Sequence, residues 1–232
     1  GELGDRQCSV AGVTVVQDFV GIEETGGILY NSAFVLLDFL ERSNLPEADI
    51  LLELGSGTGF LAAALAQRGS RVIATDGGKD TLCLCKKNLK RNGIECVDDI
   101  PEAGEACVMS LRWDSTDDVQ RIASGLTGKS LIVLLRDLIY PGSDILSLKA
   151  CAMQLSDCVD TDLLFIMAHP KRQRANEMQF LRSMSQDFHT YRHVRWLPRP
   201  AQGSVGAYYV HTFRRKTAIC TDNEEALATG HE

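Results

Sequence analysis

The chain predicts a doubly wound α/β fold, a mostly parallel sheet with helices on both faces and an antiparallel hairpin at its C-terminal edge. Three observations lead there. From Asp49 onward, apolar runs of strand length alternate with segments of helical period, and such alternation needs crossover connections between parallel neighbours. The run Leu51-Leu52-Glu53-Leu54 passes directly into Gly55-Ser56-Gly57-Thr58-Gly59 and then into Phe60-Leu61-Ala62-Ala63-Ala64-Leu65-Ala66. Strand, turn and helix follow one another there, and the glycines permit positive φ and a close approach of backbone to ligand. Two strand-like segments at the end, near 190–196 and 206–213, have no helix between them, which suits an edge hairpin.

Each element has its own signal. Residues 9–17 are rich in β-branched side chains around Gly12 and form a small hairpin or bent strand outside the main sheet. Residues 21–27 form a glycine-containing loop. From Leu29 the apolar residues Ala33, Phe34, Leu36, Leu37 and Leu40 recur at helical spacing as far as Arg42, with Pro46 beyond the end,. The strands then fall at 49–54, 71–75, 106–111, 130–135 and 163–168, and the helices at 60–67, 80–92, 115–124, 144–158 and 173–187. The tail 217–232 is polar and acidic with few large apolar residues, and disorder is expected of it. The organisation is an N-terminal extension (1–45) packed on a core (46–216), followed by that tail.

A chain of 232 residues suffices for one such domain,. Its net charge of -7 argues against a nucleic-acid partner,. The basic clusters at Lys171-Arg172 with Arg174, at 192–199, and at Arg214-Arg215-Lys216 are solvated surface or a dock for an acidic target or a nucleoprotein. Eight cysteines occur with no C-x-x-C pair, so a zinc site or disulfide framework is not expected, and reduced thiols fit a cytoplasmic or nuclear protein. No apolar stretch reaches membrane-spanning length, and the N-terminus carries no basic-then-apolar signal pattern,. The start at Gly1 in place of Met fits processing or a fragment. A monomer is expected.

The glycine turn narrows the ligand. A dinucleotide turn has G-x-G-x-x-G, whereas here Phe60 holds the third glycine position and the pattern is G-x-G-x-G. Glu53 at the lip would repel a pyrophosphate and suits a ligand carrying an amino group and a sulfonium. Asp76 lies one strand-helix-strand unit further on, where a carboxylate accepts hydrogen bonds from ribose hydroxyls. The competing reading makes both acids ordinary surface carboxylates. Ligands in such sheets lie beyond the carboxyl ends of the strands where strand order reverses, which brings residues 53–59, Asp76, Trp113 with Asp114, and Asp137 into one crevice. Trp113 either faces an adenine or packs in the core.

The fourth strand ends Leu135-Arg136-Asp137-Leu138-Ile139-Tyr140-Pro141, containing D-x-x-Y. That motif, with Gly26-Gly27-x-x-Tyr30-Asn31-Ser32-Ala33, the 53–59 turn, Asp76, Leu111-x-Trp113 and Tyr208-Tyr209-Val210-His211, resembles the seven-β-strand S-adenosylmethionine-dependent methyltransferases. The resemblance covers most of the chain and is to methyltransferase family 16, which includes the lysine methyltransferase 21-like enzymes. It implies a Rossmann-like seven-stranded sheet, S-adenosylmethionine as cofactor with S-adenosylhomocysteine as product, no metal, and a protein substrate methylated on a side-chain nitrogen, lysine first. By the same resemblance Tyr30, Glu53, Gly55, Ser56, Gly57, Gly59, Asp76, Trp113 and Arg136 bind cofactor. Asp137 and Tyr140 act on the acceptor, Asp137 orienting the amine and Tyr140 walling and fixing it.

The chain departs from the family pattern in several places. Tyr30 stands where the family has Trp; separately, the Pro-Pro that follows the acidic residue in amide- and adenine-modifying enzymes is absent, which sets this chain apart from those enzymes. Gly77-Gly78 is looser than the apolar residue usual beside adenine. Arg136 stands where a small residue is common. Its cation either snorkels outward or, pointing inward, disfavours a cationic lysine. Still open are a histidine or small-molecule acceptor, a non-catalytic adaptor, and a structural reading in which Asp137 caps a helix and Tyr140 packs.

Overall fold

The computed structural model describes residues 5–19, 22, 25–159, 161, 163–170, 174–196 and 208–216. Strands β1 (Asp5–Val10) and β2 (Val13–Asp18) form a separate two-stranded antiparallel sheet. Ala11 and Gly12, both at positive φ, turn the chain between them, the geometry that matches the twist of paired strands. This is the hairpin expected outside the main sheet.

After helix α1 (Ser32–Arg42) come β3 (Ile50–Leu54), α2 (Phe60–Ala66), β4 (Val72–Asp76), α3 (Lys79–Arg91), β5 (Cys96–Val97) and β6 (Ala106–Ser110). The chain continues with α4 (Thr116–Ser124), β7 (Leu131–Arg136), α5 (Ile145–Cys158), β8 (Leu163–Pro170), α6 (Arg174–Asp187), β9 (Phe188–Trp196) and β10 (Tyr208–Arg215). Strand order in the large sheet is β5-β6-β4-β3-β7-β8-β10-β9, parallel from β5 to β8 and antiparallel on both sides of β10. The doubly wound sheet with its C-terminal hairpin is therefore the observed fold. An eighth strand, the two-residue β5, lies at one edge, too short to leave any periodicity in the sequence.

The centre of the sheet is covered on both faces. All six residues of β7 are buried, and alternation sends Ile132 and Leu134 toward α1, α2 and α3 while Leu131, Val133 and Leu135 face α4, α5 and α6. A strand covered twice loses the apolar-polar alternation of a half-exposed one and reads as a continuous apolar run.

Side-chain amides on α3 hold the small hairpin against the core. Asn88 and Asn92, one turn apart, each bond a β2 residue as a neighbouring strand would. Thr14 N–H donates to Asn92 Oδ1 at 2.8 Å and Thr14 C=O accepts from Asn92 Nδ2 at 2.7 Å. Val16 makes the same pair with Asn88 at 2.8 and 2.9 Å. Asn88 Nδ2 also donates to Thr58 O at 2.9 Å, which ties the hairpin to the glycine turn.

Of the basic clusters, the third is described in full and is structural. Arg215 pairs with Asp157 at 3.3 Å, and Lys216 Nζ donates to Ser185 O at 2.6 Å, covering carbonyls at the end of α6. The side chains at 171–174 and 192–199, and the tail 217–232, lie outside the described residues. Among the described residues no helix is long and apolar enough to cross a membrane, and no group of three or more His, Cys, Asp or Glu is placed to hold a metal ion.

Candidate active site

The chain runs from β3 to β4 on one side and returns to β7 on the other, so strand order reverses beside the end of β3. A cavity of about 320 Å³ opens there, within the range of small-ligand sites. Eight of the residues expected from the sequence form its wall: Tyr30, Gly55, Gly57, Asp76, Trp113, Arg136, Asp137 and Tyr140. The remaining three, Glu53, Ser56 and Gly59, stand behind it, each fully buried or nearly so.

The glycine turn has two separate reasons to exclude side chains. Gly57 has φ +51, and a Cβ there would meet Arg136 Nη2 at 2.7 Å and Gly26 O at 3.1 Å. Gly59 has φ +75, and its Cβ would meet Cys85 Sγ at 2.7 Å. Its role is therefore the close packing of α2 on α3 and not direct ligand contact. Cys85 itself is sealed, and burial pushes its thiol up to about 12, leaving it an inert packing group. Ser56 points the same way, its Oγ 3.8 Å from Cys85 Sγ.

Asp76 meets the cavity as expected. Its Oδ2 accepts from Gly57 N–H at 3.0 Å and its Oδ1 from Gly78 N–H at 3.1 Å, so the carboxylate both braces the turn and retains lone pairs on each oxygen. Trp113 follows β6, and its side chain packs on the core cluster while forming part of the cavity wall.

Glu53 departs from the sequence expectation. It is 0 % exposed and Arg136 only 4 %, and Arg136 Nε donates to Glu53 Oε1 at 2.8 Å. Arg136 Nη2 donates in addition to Ser56 O. The guanidinium thus lies inward across the glycine turn and hides Glu53 from the cavity, so the carboxylate cannot face a ligand's amino group directly. Burial pushes the Glu53 carboxyl up to about 7, against the pull of Arg136, as desolvation and ion pairing act in opposite directions on an acid. Among the described residues, Glu53 Oε2 has no hydrogen-bond partner.

Asp137 follows β7 with φ +50, a left-handed conformation that is uncommon outside glycine and is often found at functional sites. Its N–H donates to Ala168 O at 2.9 Å, carrying the β7–β8 pairing one residue past the strand. The helix-cap alternative fails, because the cap of α5 is Asp144, whose Oδ1 accepts from Ser147 N–H at 3.0 Å. Tyr140 is held by Ser143, whose Oγ donates to Tyr140 O at 2.9 Å and accepts from Tyr140 N–H at 3.1 Å. Sequence reasoning missed Ile28 and Leu138 in the wall. Leu138 was legible as part of D-x-x-Y, but its packing against Gly55, where a Cβ would lie 2.6 Å from its Cδ2, depends on the meeting of two strand ends.

The family described as lysine methyltransferase matches residues 12–187. Methyltransferase-like protein 22 of Mus musculus and that of Homo sapiens are each 35% identical over 72 residues, covering 31% of this chain and 18% of theirs. A cypemycin N-terminal methyltransferase of Streptomyces is 36% identical over 69 residues, 30% of this chain and 25% of its own length. The match therefore spans a quarter or less of these curated relatives. Among solved structures, a SAM-dependent methyltransferase from Agrobacterium tumefaciens aligns with TM-score 0.55 at 15% identity, over 93% of this chain and 71% of that one. The N-methyltransferase NodS from Bradyrhizobium japonicum, in complex with S-adenosylhomocysteine, aligns with TM-score 0.52 at 11% identity, over 81% and 86%. At such identities these two share the fold.

Proposed function

The chain belongs to the lysine methyltransferase family, and we propose that it is an S-adenosylmethionine-dependent enzyme that methylates a side-chain nitrogen of a protein, lysine first. The observation that carries the reading is the convergence of Asp76, the glycine turn and the D-x-x-Y pair Asp137 and Tyr140 on one cavity. The residues suit the cofactor. Asp76 has lone pairs left for a ribose diol, and Trp113 offers an aromatic surface in the same wall.

When bound, S-adenosylmethionine would supply a methyl on its sulfonium sulfur, the acceptor's lone pair forming the N–C bond in line as the C–S bond breaks and its electrons leave with the thioether of S-adenosylhomocysteine. The protein then has two tasks, alignment and an unprotonated acceptor. Free lysine has a pKa near ~10.4 and is almost wholly charged at neutral pH. Asp137 accepts a hydrogen bond from the incoming amine and so directs its lone pair, while the Tyr140 ring walls the approach and its hydroxyl fixes the nitrogen. Low local dielectric and nearby positive charge favour loss of the ammonium proton, which leaves to water.

One observation favours a second acceptor. The inward Arg136 keeps a guanidinium in the cavity wall next to Asp137, and a fixed cation there suits a neutral nucleophile such as a histidine imidazole better than an ammonium.

Calorimetry with S-adenosylmethionine and S-adenosylhomocysteine, followed by incubation with radiolabelled cofactor and a cell extract, tests the proposal. Micromolar binding and one labelled protein, with the modified residue located by mass spectrometry, is the expected result. The absence of any binding would overturn it, and label on histidine would select the second acceptor. Asp137→Ala should lower transfer at least ~1,000-fold, as removal of a group that orients the reacting atoms does, with the cofactor dissociation constant within ~3-fold of wild type. Near-normal turnover in that variant would remove Asp137 from the chemistry.

A further inference from the structure

We propose that Arg136 is the receptor for the α-carboxylate of the cofactor's methionine end, and that Glu53 acts only by holding Arg136 in place. The inference rests on the methyltransferase reading above and deepens it. It also reverses the polarity that the sequence suggested, in which Glu53 met the α-amino group.

Donor accounting supports the assignment. A guanidinium has five N–H donors and no acceptor. Arg136 uses one on Glu53 Oε1 at 2.8 Å and one on Ser56 O, and its other three have no partner among the described residues. The side chain is 4 % exposed and forms part of the cavity wall, so a ligand seated in the cavity is an acceptor within its reach.

Charge leads to the same assignment. With Glu53 sealed behind the guanidinium, the face shown to a ligand at the glycine turn is cationic. Of the groups on an aminoacyl nucleoside sulfonium, only the α-carboxylate is anionic. A planar fork held from behind also matches a carboxylate's two oxygens with little loss of side-chain freedom.

The arrangement is built from both strands. Gly57 supplies the space, since a Cβ there would stand 2.7 Å from Nη2, and Glu53 supplies the tether across the β3–β7 pair. Glu53 is thus a positioning residue, and its ionisation depends on Arg136 because burial works against it.

The test compares S-adenosylhomocysteine with S-adenosyl-3-thiopropylamine, the same molecule without the carboxylate, by calorimetry on the full chain. Wild type should prefer S-adenosylhomocysteine by about 30-fold, the scale of a charge-assisted hydrogen-bonded pair. Arg136→Met should bring the two ligands within ~3-fold, and Arg136→Lys should retain part of the preference. Glu53→Gln keeps the cation but loosens it, so the preference should shrink without vanishing, which a merely structural role would not produce. Should Arg136→Met fail to fold by circular dichroism, the lysine and glutamine variants decide. An unchanged preference in the variants, or wild-type binding that ignores the carboxylate, would overturn this assignment and leave the methyltransferase reading standing. No binding of S-adenosylhomocysteine to wild type would overturn both.

Discussion

The ends of β3 and β4 lie side by side, each carries a carboxylate beside the glycine turn, and the two carboxylates meet the crevice differently. Asp76, at the end of β4, is half-buried, accepts two backbone N–H groups and faces the cavity. Glu53, on β3, is sealed behind Arg136 of β7 and has no cavity surface. Both acids follow apolar strand residues and stand near glycines, so local pattern does not separate them. The neighbouring strand does. β3 lies between β4 and β7, and the arginine closing β7 covers the acid beside it. At this end of the sheet, the counter-ion supplied by the adjacent strand decides which of the two carboxylates reaches the cavity.

The largest test of that contrast is Glu53→Ala. Removing one partner of a buried ion pair typically costs about 3–5 kcal/mol because the other charge is left uncompensated. Urea unfolding at about pH 8, above the raised Glu53 value of about 7 so that the pair is ionised, should show a loss of that order, and a loss below ~1 kcal/mol would mean that the pair is not sealed. Asp76→Ala should fail in the other way. Affinity for S-adenosylhomocysteine should fall about 10–100-fold, the range of lost charge-assisted hydrogen bonds, while unfolding free energy changes by only ~1–2 kcal/mol for the two turn contacts. An unchanged dissociation constant would remove Asp76 from the cofactor site.

The finest test is pH. The Glu53 carboxyl is raised from 4.5 to about 7 by burial, so its ionised form is disfavoured in the folded protein relative to the unfolded chain. Its contribution to stability is fully present below pH 4.5 and is lost as pH rises toward 7,. Stability measured over that window should therefore fall relative to Glu53→Gln, with a slope of about 1 kcal/mol per pH unit. Parallel curves for the two proteins would place the ionised pair at no cost and blunt the contrast with Asp76.

Much of the molecule is legible in order along the chain. The strand and helix periods, the glycine turn and the missing helix before β10 are local properties, and each places its element within a few residues of where it stands. The site was legible to the same degree. The rule that ligands gather at strand ends where order reverses needs only the strand order, and of the residues it gathers, Asp76, Trp113, Asp114 and Asp137 line one cavity while Glu53 does not; Tyr140 came from the D-x-x-Y motif. The failures share a cause. β5 has two residues and so no period, and the bonds that dock the hairpin come from Asn88 and Asn92, more than 70 positions away in the chain. Gly59 lies in the ligand-facing turn but is needed for helix packing.

By itself, then, the sequence determined the sheet, its winding and the strand ends at which chemistry collects, because apolar period and glycine φ are decided within a few residues of each position. Only the tertiary structure decided which way Arg136 points. A long cationic side chain balances desolvation against pairing, and the balance tipped inward because Glu53, 83 residues earlier, stands within 2.8 Å across the β3–β7 pair. That juxtaposition belongs to strand register, and it determines which charge the crevice presents.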